Sequence, residues 1–159
     1  MSKNQIKKVI DHKVSMNSRE QILALQDIML DMEDGVNVTT KQDSHFAPLK
    51  HSFADGIYIR QMTMVKGAVC IGKIHKHLHA WFLLTGHITV ITEGRTEDYI
   101  APCYVVAPPG TKRVIYTHEE SIFVNVHKNP DNIKDIDELE KTYIAEDYKE
   151  YEEYINKKK

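Results

Sequence analysis

Between Phe53 and His127 the chain is cut into short segments rich in Val, Ile, Thr and Tyr. The cuts fall at Asp55-Gly56, Lys66-Gly67, Thr85-Gly86, Glu93-Gly94 and Pro108-Pro109-Gly110. Segments of that length, ended by residues that favour turns, suit strands and exclude long helices. Strands at short, regular spacing predict an all-β barrel or sandwich. A length of 159 residues fits a single domain.

The flanks differ from the centre. Residues 1–17 are polar and predict a flexible N-terminal arm. Ser18-Arg19-Glu20-Gln21 has the form of a capping box, and Ile22, Leu25, Met29 and Met32 recur on one helical face up to a stop at Asp34-Gly35. These methionines read as core contacts. Residues 18–130 are therefore expected to form an N-terminal helix plus the barrel. Residues 131–159 are expected to form a C-terminal helix, with Ile136, Leu139 and Tyr143 on its docking side, and a charged tail that frays.

Charge and composition narrow the function classes. Twenty-one basic and 23 acidic residues leave a net charge of −2, so no global field draws the chain to nucleic acid or to an anionic membrane. No stretch approaches the roughly 20 apolar residues of a membrane span. Cys70 and Cys103 form no CxxC pair and read as reduced thiols of a cytoplasmic protein.

Nine histidines is a high count for a chain of this length. His75, His77 and His79 alternate with other residues, so on a strand they share one face with Trp81, opposite Ile74, Leu78, Ala80 and Phe82. Neighbouring members of such a ladder lie about 6.5–7 Å apart, close enough for two imidazoles to lean onto one ion. All three span about 13 Å, too far for one ion unless the strand bends. His77 belongs to both adjacent pairs and is the member that geometry alone favours. The competing reading is a solvated sheet face with no ion. In the last segment, Phe123, Asn125 and His127 form a mixed face and Ile122, Val124 and Val126 an apolar one.

Two stretches carry a family resemblance. Gly72-x-x-His75-Lys-His77-Leu-His79 followed by Leu84-Thr85-Gly86 resembles the first cupin motif. Ala101-Pro102 through Pro108-Pro109-Gly110-Thr-Lys-Arg113 resembles the second. The likeness covers roughly residues 53 to 127. The chain resembles more closely small cupin-like proteins of tailed phages and prophages, through His51-Ser-Phe-Ala-Asp-Gly-Ile-Tyr-Ile-Arg60, Gly110-Thr-Lys-Arg-Val and Val126-His127. The resemblance implies a mainly β, double-stranded β-helix (jelly-roll) barrel that pairs as a homodimer. It also implies a divalent metal ion (zinc, iron, manganese or nickel) in the barrel and, for a phage product, a place in the host cytoplasm.

The chain departs from the cupin pattern at two ligand positions. No carboxylate follows the HxH element, and Arg113 stands where the second motif supplies a histidine. His127 is the candidate to complete a set with His75, His77 and His79, with His118 and His87 as weaker substitutes. Glu93 and Glu97, near a turn, read as solvated. The ion is thus held by histidines alone, weakly held, or absent.

Arg113 has two readings. It points to water if Val114 and Tyr116 face the core, and into the barrel if Ile115 and Thr117 do. Inward, it would favour a carboxylate or phosphate. His51, Tyr58, Arg60 and Trp81 are further candidate contacts for a small anionic molecule. Three functions stay open on these residues: a metal-dependent enzyme, a non-catalytic small-molecule binder, and a structural dimer module.

Overall fold

The computed structural model describes residues 19–31 and 47–158. Ser18, Met32 and the stop at Asp34-Gly35 lie outside the described residues, as does the arm of residues 1–17. Helix α1 (Arg19–Leu30) precedes ten strands: β1 (Leu49–Ala54), β2 (Ile57–Met64), β3 (Val69–Ile71), β4 (Ile74–His75), β5 (His79–Thr85), β6 (His87–Thr92), β7 (Arg95–Ile100), β8 (Cys103–Ala107), β9 (Val114–Thr117) and β10 (Ser121–Lys128). Then come α2 (Ile136–Tyr143), β11 (Ile144–Ala145) and α3 (Tyr148–Asn156).

All pairings are antiparallel, and the strands form a five-stranded sheet ordered β1-β2-β10-β5-β8, a four-stranded sheet ordered β3-β9-β6-β7 and a two-stranded pair β11-β4. The inward faces of the two sheets supply one apolar core: Met64, Trp81, Leu83, Ala107 and Phe123 from the first, Ile88, Val90 and Ile115 from the second. Alternation in and out of that core is the period-two pattern expected of packed sheets. No helix among the described residues is long and apolar enough to cross a membrane. Cys70 and Cys103 are free.

Helix α1 closes the outer face of the four-stranded sheet. Ile22 and Leu25 pack there on Ile91, Val114 and Tyr116, with Met29 beside them. Strand β9 is consequently buried on both sides, which is why its whole run VIYT is apolar or aromatic apart from the last residue. At the other end, the segment expected to fray is ordered structure. Asp135 and Asp147 cap α2 and α3 by accepting the N–H groups of Glu138 (3.0 Å) and Glu150 (2.8 Å). Leu139 and Tyr143 pack on Tyr58, while Tyr148 packs with Ile74 and Ala145. Ion pairs Arg19–Glu152 (2.9 Å) and Lys76–Glu150 (2.7 Å) tie α3 to α1 and to the barrel.

Two motif glycines are fixed by sterics. Gly86 has φ +90°, and a Cβ there would overlap Ser121 and the Glu120 carbonyl. Gly110 has φ +80°, and a Cβ would strike the Tyr151 ring of α3. We expect Gly86→Ala to cost more than about 2 kcal/mol, because the left-handed penalty of about 1–2 kcal/mol adds to overlap with main chain. Gly94, at φ +77° with open space around its Cβ position, provides the control. Urea denaturation should show Gly86→Ala as the more damaging change, and equal midpoints would refute the steric account.

Candidate metal centre

The histidine ladder is not one strand. Strand β4 ends at His75, the backbone bends at Lys76 and His77, and β5 begins at His79. An unbroken strand would hold His75 and His79 about 13 Å apart. The bend brings their ring centroids to 4.0 Å.

Main-chain contacts hold the bend from two sides. His75 pairs with Ile144 of β11, and the Lys76 N–H donates to the Tyr143 carbonyl (2.8 Å). The Gly110 N–H donates to the His75 carbonyl (2.9 Å), so the PxG turn grips the HxH segment directly. The Gly72 N–H likewise donates to the Arg113 carbonyl (2.9 Å).

His127 joins from β10. The register of β10 on β5, Val126 opposite Ala80, carries His127 alongside His79. Its ring lies 4.9 Å from His75 and 5.1 Å from His79, centroid to centroid. His75, His79 and His127 are all buried, and one ring nitrogen of each falls within 4.8 Å of the others. Tetrahedral zinc, with Zn–N of about 2.0–2.1 Å, needs its ligand atoms roughly 3.3 Å apart.

His77 stands beside this trio, not in it. It meets His127 edge-on at 5.4 Å and His79 at 6.2 Å, with its Nε2 3.4 Å from His127 Nδ1. The bend turns His77 towards Tyr143, whose ring lies 4.9 Å away, edge-on. The straight ladder that favoured His77 on spacing alone therefore does not exist. No carboxylate joins the three histidines among the described residues.

The donor chemistry fits a metal. His75 Nδ1 and His79 Nε2 are buried without a hydrogen-bond partner among the described residues. Unsatisfied buried nitrogens are costly, and a cation is one partner that satisfies several at once. Burial first, then neighbouring imidazoles and Arg113, hold His75 well below its ordinary value. Burial and then Arg113 push His79 down to about 4, and burial pushes His127 to about 2. All three are neutral at pH 7 and present lone pairs, the form a metal requires.

Arg113 points into the barrel. It is buried and acts electrostatically on His75, His79 and His127. Val114 and Tyr116 are indeed buried, but beneath α1, while Ile115 is in the barrel core. The Arg113 Nη2 is buried and unpartnered among the described residues, as is Asn125 Oδ1. Desolvation lowers Arg113 to about 10, so it stays charged at pH 7.

The remaining candidates separate. Tyr58 stacks on His127 (5.7 Å) and accepts or donates to His51 Nδ1 through its hydroxyl (2.7 Å), and burial pushes its phenol up to about 12. Tyr58, Arg60 and His127 line a cavity of about 20 Å³ together with Ile136, Leu139, Glu140, Tyr143 and Ile144. That volume holds little more than a water, and α2 supplies four of its lining residues. Trp81 lies deeper, stacked on Phe123 (5.0 Å) and edge-on to Tyr99 (5.0 Å), as a core residue 1% exposed. His51 reaches the site through Tyr58, on which its ring also stacks at 5.9 Å. His87 and His118 lie elsewhere, stacked on one another at 4.2 Å.

No family model and no curated protein matches the sequence. Solved structures do. An oxalate decarboxylase of Lactobacillus farciminis, solved as a formate complex, is 19% identical with a TM-score of 0.51 over 56% of this chain and 30% of that one. A cupin 2 conserved barrel domain protein of Salinispora arenicola is 13% identical with a TM-score of 0.48 over 65% and 96%. The EutQ protein of Clostridium difficile is 15% identical with a TM-score of 0.47 over 61% and 83%. At such identities the likeness concerns fold alone. With its paired antiparallel sheets and flanking helices, the chain has the cupin-type jelly-roll fold, with a histidine cluster inside the barrel.

Proposed function

We propose that the protein binds one divalent metal ion through His75, His79 and His127, and a small anion beside it against Arg113. The observation that carries this reading is the convergence of three buried, neutral imidazoles, with His75 Nδ1 and His79 Nε2 unpartnered among the described residues, next to a buried guanidinium. An ion at the trio would bring two positive charges to a site with Arg113 and, among the described residues, no carboxylate. Buried charge of one sign is strongly disfavoured, so an anion is needed to balance it. Arg113 Nη2 supplies a donor and a fixed cation for a carboxylate or phosphate. Asn125 Oδ1 supplies an acceptor for a hydroxyl or a protonated oxygen. Zinc, iron, manganese and nickel all accept this donor set, and the ion when bound would act as a Lewis acid with positions left for ligand.

Elemental analysis of chain reloaded with zinc, manganese, iron or nickel, then desalted, tests the first half; no stoichiometric ion in any preparation overturns it. Calorimetric titration with small carboxylates and with inorganic phosphate tests the second. Arg113→Gln should weaken the binding anion by roughly tenfold or more, since charge-assisted hydrogen bonds contribute about 1.5–3 kcal/mol. Unchanged affinity would remove Arg113 from the site.

The metal-free form of the same reading is a binder that sequesters an anion, the role suited to a phage-encoded cupin-like protein in the host cytoplasm. It is supported by the buried Arg113 Nη2, which has no partner among the described residues and offers an anion a donor whether or not an ion is bound. Tight anion binding by fully chelated protein would favour it.

The assembly we propose is a homodimer through the outer face of the five-stranded sheet. Leu84, Tyr104 and Val106 are more than half exposed there, beside Ala80, Phe82, Ile122 and Val126. This continuous apolar face on adjacent strands exceeds scattered surface hydrophobics, and a second copy offers a surface of matching chemistry. Light scattering should give a dimer that Tyr104→Glu with Val106→Glu converts to monomer. A wild-type monomer would overturn the proposal.

A further inference from the structure

A second group of ligating side chains lies outside the barrel, on the outer face of the four-stranded sheet. His87 opens β6, Asp98 is on β7, and His118 follows β9. The sheet register sets them side by side. Ile88 pairs with Thr117, Thr89 pairs with Asp98, and the His118 N–H donates to the His87 carbonyl (2.9 Å). One ligand atom from each of the three side chains falls within 4.8 Å of the other two.

Thr89 organises this group. Its hydroxyl donates to Asp98 Oδ1 (2.5 Å) and lies 2.6 Å from His118 Nε2. Thr89 is itself buried, and the Tyr116 ring sits edge-on to His118 at 4.9 Å, so the arrangement rests on rigid parts of the sheet. His87 and His118 are half-buried and Asp98 is exposed. An ion therefore has a path in from solvent.

We infer that His87, Asp98 and His118 form a second divalent-cation site that ties β6, edge strand β7 and the end of β9 together. Two imidazoles and one carboxylate suit the borderline cations zinc, cobalt and nickel, and disfavour magnesium and calcium, which take oxygen ligands. The site differs from the barrel trio in kind. It carries its own negative charge in Asp98, so the ion needs no anionic co-ligand. Thr89 is a positioning residue that holds the Asp98 carboxylate through its hydroxyl, the role outer groups play around bound metals. A plain surface cluster would also place two histidines near an aspartate, but the buried threonine bridging two members orients them before any ion arrives.

The test is titration of the 159-residue chain with Co²⁺, read by calorimetry and by visible absorption. Wild type is compared first with the His118→Ala variant and with a chain carrying His79→Ala and His127→Ala. His118→Ala should bind one Co²⁺ fewer than wild type, whatever number the barrel takes, and the barrel-disabled chain should still bind one. Asp98→Asn, an exposed change, should weaken that remaining ion. Thr89→Val should weaken it roughly 10–100-fold while leaving the number of ions unchanged. Equal stoichiometry and affinity in wild type and His118→Ala would overturn the site. So would a folded barrel-disabled chain that binds no Co²⁺. If the barrel double variant fails to fold, the wild-type and His118→Ala comparison decides alone.

Discussion

Zinc should raise the melting temperature of the metal-free chain by about 5–10 °C when free zinc is near 100 times its Kd. Binding to the folded state alone contributes RT ln(1 + [L]/Kd), about 2.7 kcal/mol at that ratio. For a chain of this size each kcal/mol shifts the midpoint by about 2–4 °C. The His118→Ala background isolates the barrel, because the outer cluster is then incomplete.

The trio and its neighbour should then behave differently in that background. His75→Ala, His79→Ala and His127→Ala each remove one of three converging nitrogens and should abolish the shift. His77→Ala should keep a smaller shift, between about one-seventh and about one-half of the full one at the same free zinc. Its Nε2 faces His127 Nδ1 at 3.4 Å, so its loss frees the His127 ring and should weaken zinc roughly 10–100-fold without removing the site. Each variant is compared with its own metal-free midpoint, which cancels the cost of the cavity. A shift abolished by His77→Ala and retained by His75→Ala would reverse the assignment and sink the trio.

That contrast shows where sequence reasoning stopped. Period-two alternation correctly put His79 and Trp81 on an inward face, and turn signals at Thr85-Gly86 and Pro109-Gly110 marked real corners with positive φ. Alternation could not reveal that the ladder bends at Lys76 and His77. The bend depends on β11, on the Tyr143 carbonyl and on the Gly110 N–H, which are partners far away in sequence. It moves His77 out of the set and His75 in.

Arg113 resisted for a related reason. Period two says which residues alternate but not which side is the barrel, and β9 is buried on both sides once α1 covers it. Only the tertiary position of α1 resolves the direction. The docked helix α3, by contrast, left legible signals: Asp147-x-x-Glu150 at its start and Tyr148, Tyr151 and Ile155 at helical spacing. The density of charge around them masked that stripe.

The same burial that readies the histidines for metal should make the metal-free chain acid-labile. In the unfolded chain each imidazole takes up its proton near pH 6.5. In the folded chain, burial first and neighbouring cations second hold His79 near 4, with His75 and His127 also well below 6.5. Above pH 6.5 both states are neutral and nothing is lost. As pH falls below that value the unfolded chain binds protons that the folded chain refuses, so stability decreases with pH until the folded histidines protonate.

For His79 alone, the span from 6.5 to about 4 corresponds to about 3 kcal/mol at most. Because His75 and His127 share the same pocket, the cluster as a whole is worth several kcal/mol, a large part of the roughly 5–15 kcal/mol that holds a domain together. Urea denaturation of chelator-treated protein at pH 7, 6 and 5 should show the midpoint falling steadily. His127→Phe, which replaces a protonatable ring by an apolar one of similar shape, should flatten the decline. A midpoint that holds between pH 7 and pH 5 would mean that the imidazoles reach solvent or an anion, and the buried neutral cluster would have to be abandoned. Zinc cannot rescue the chain far into this range, since protons compete for the same nitrogens; its protection should fade over the same interval in which the metal-free fold weakens.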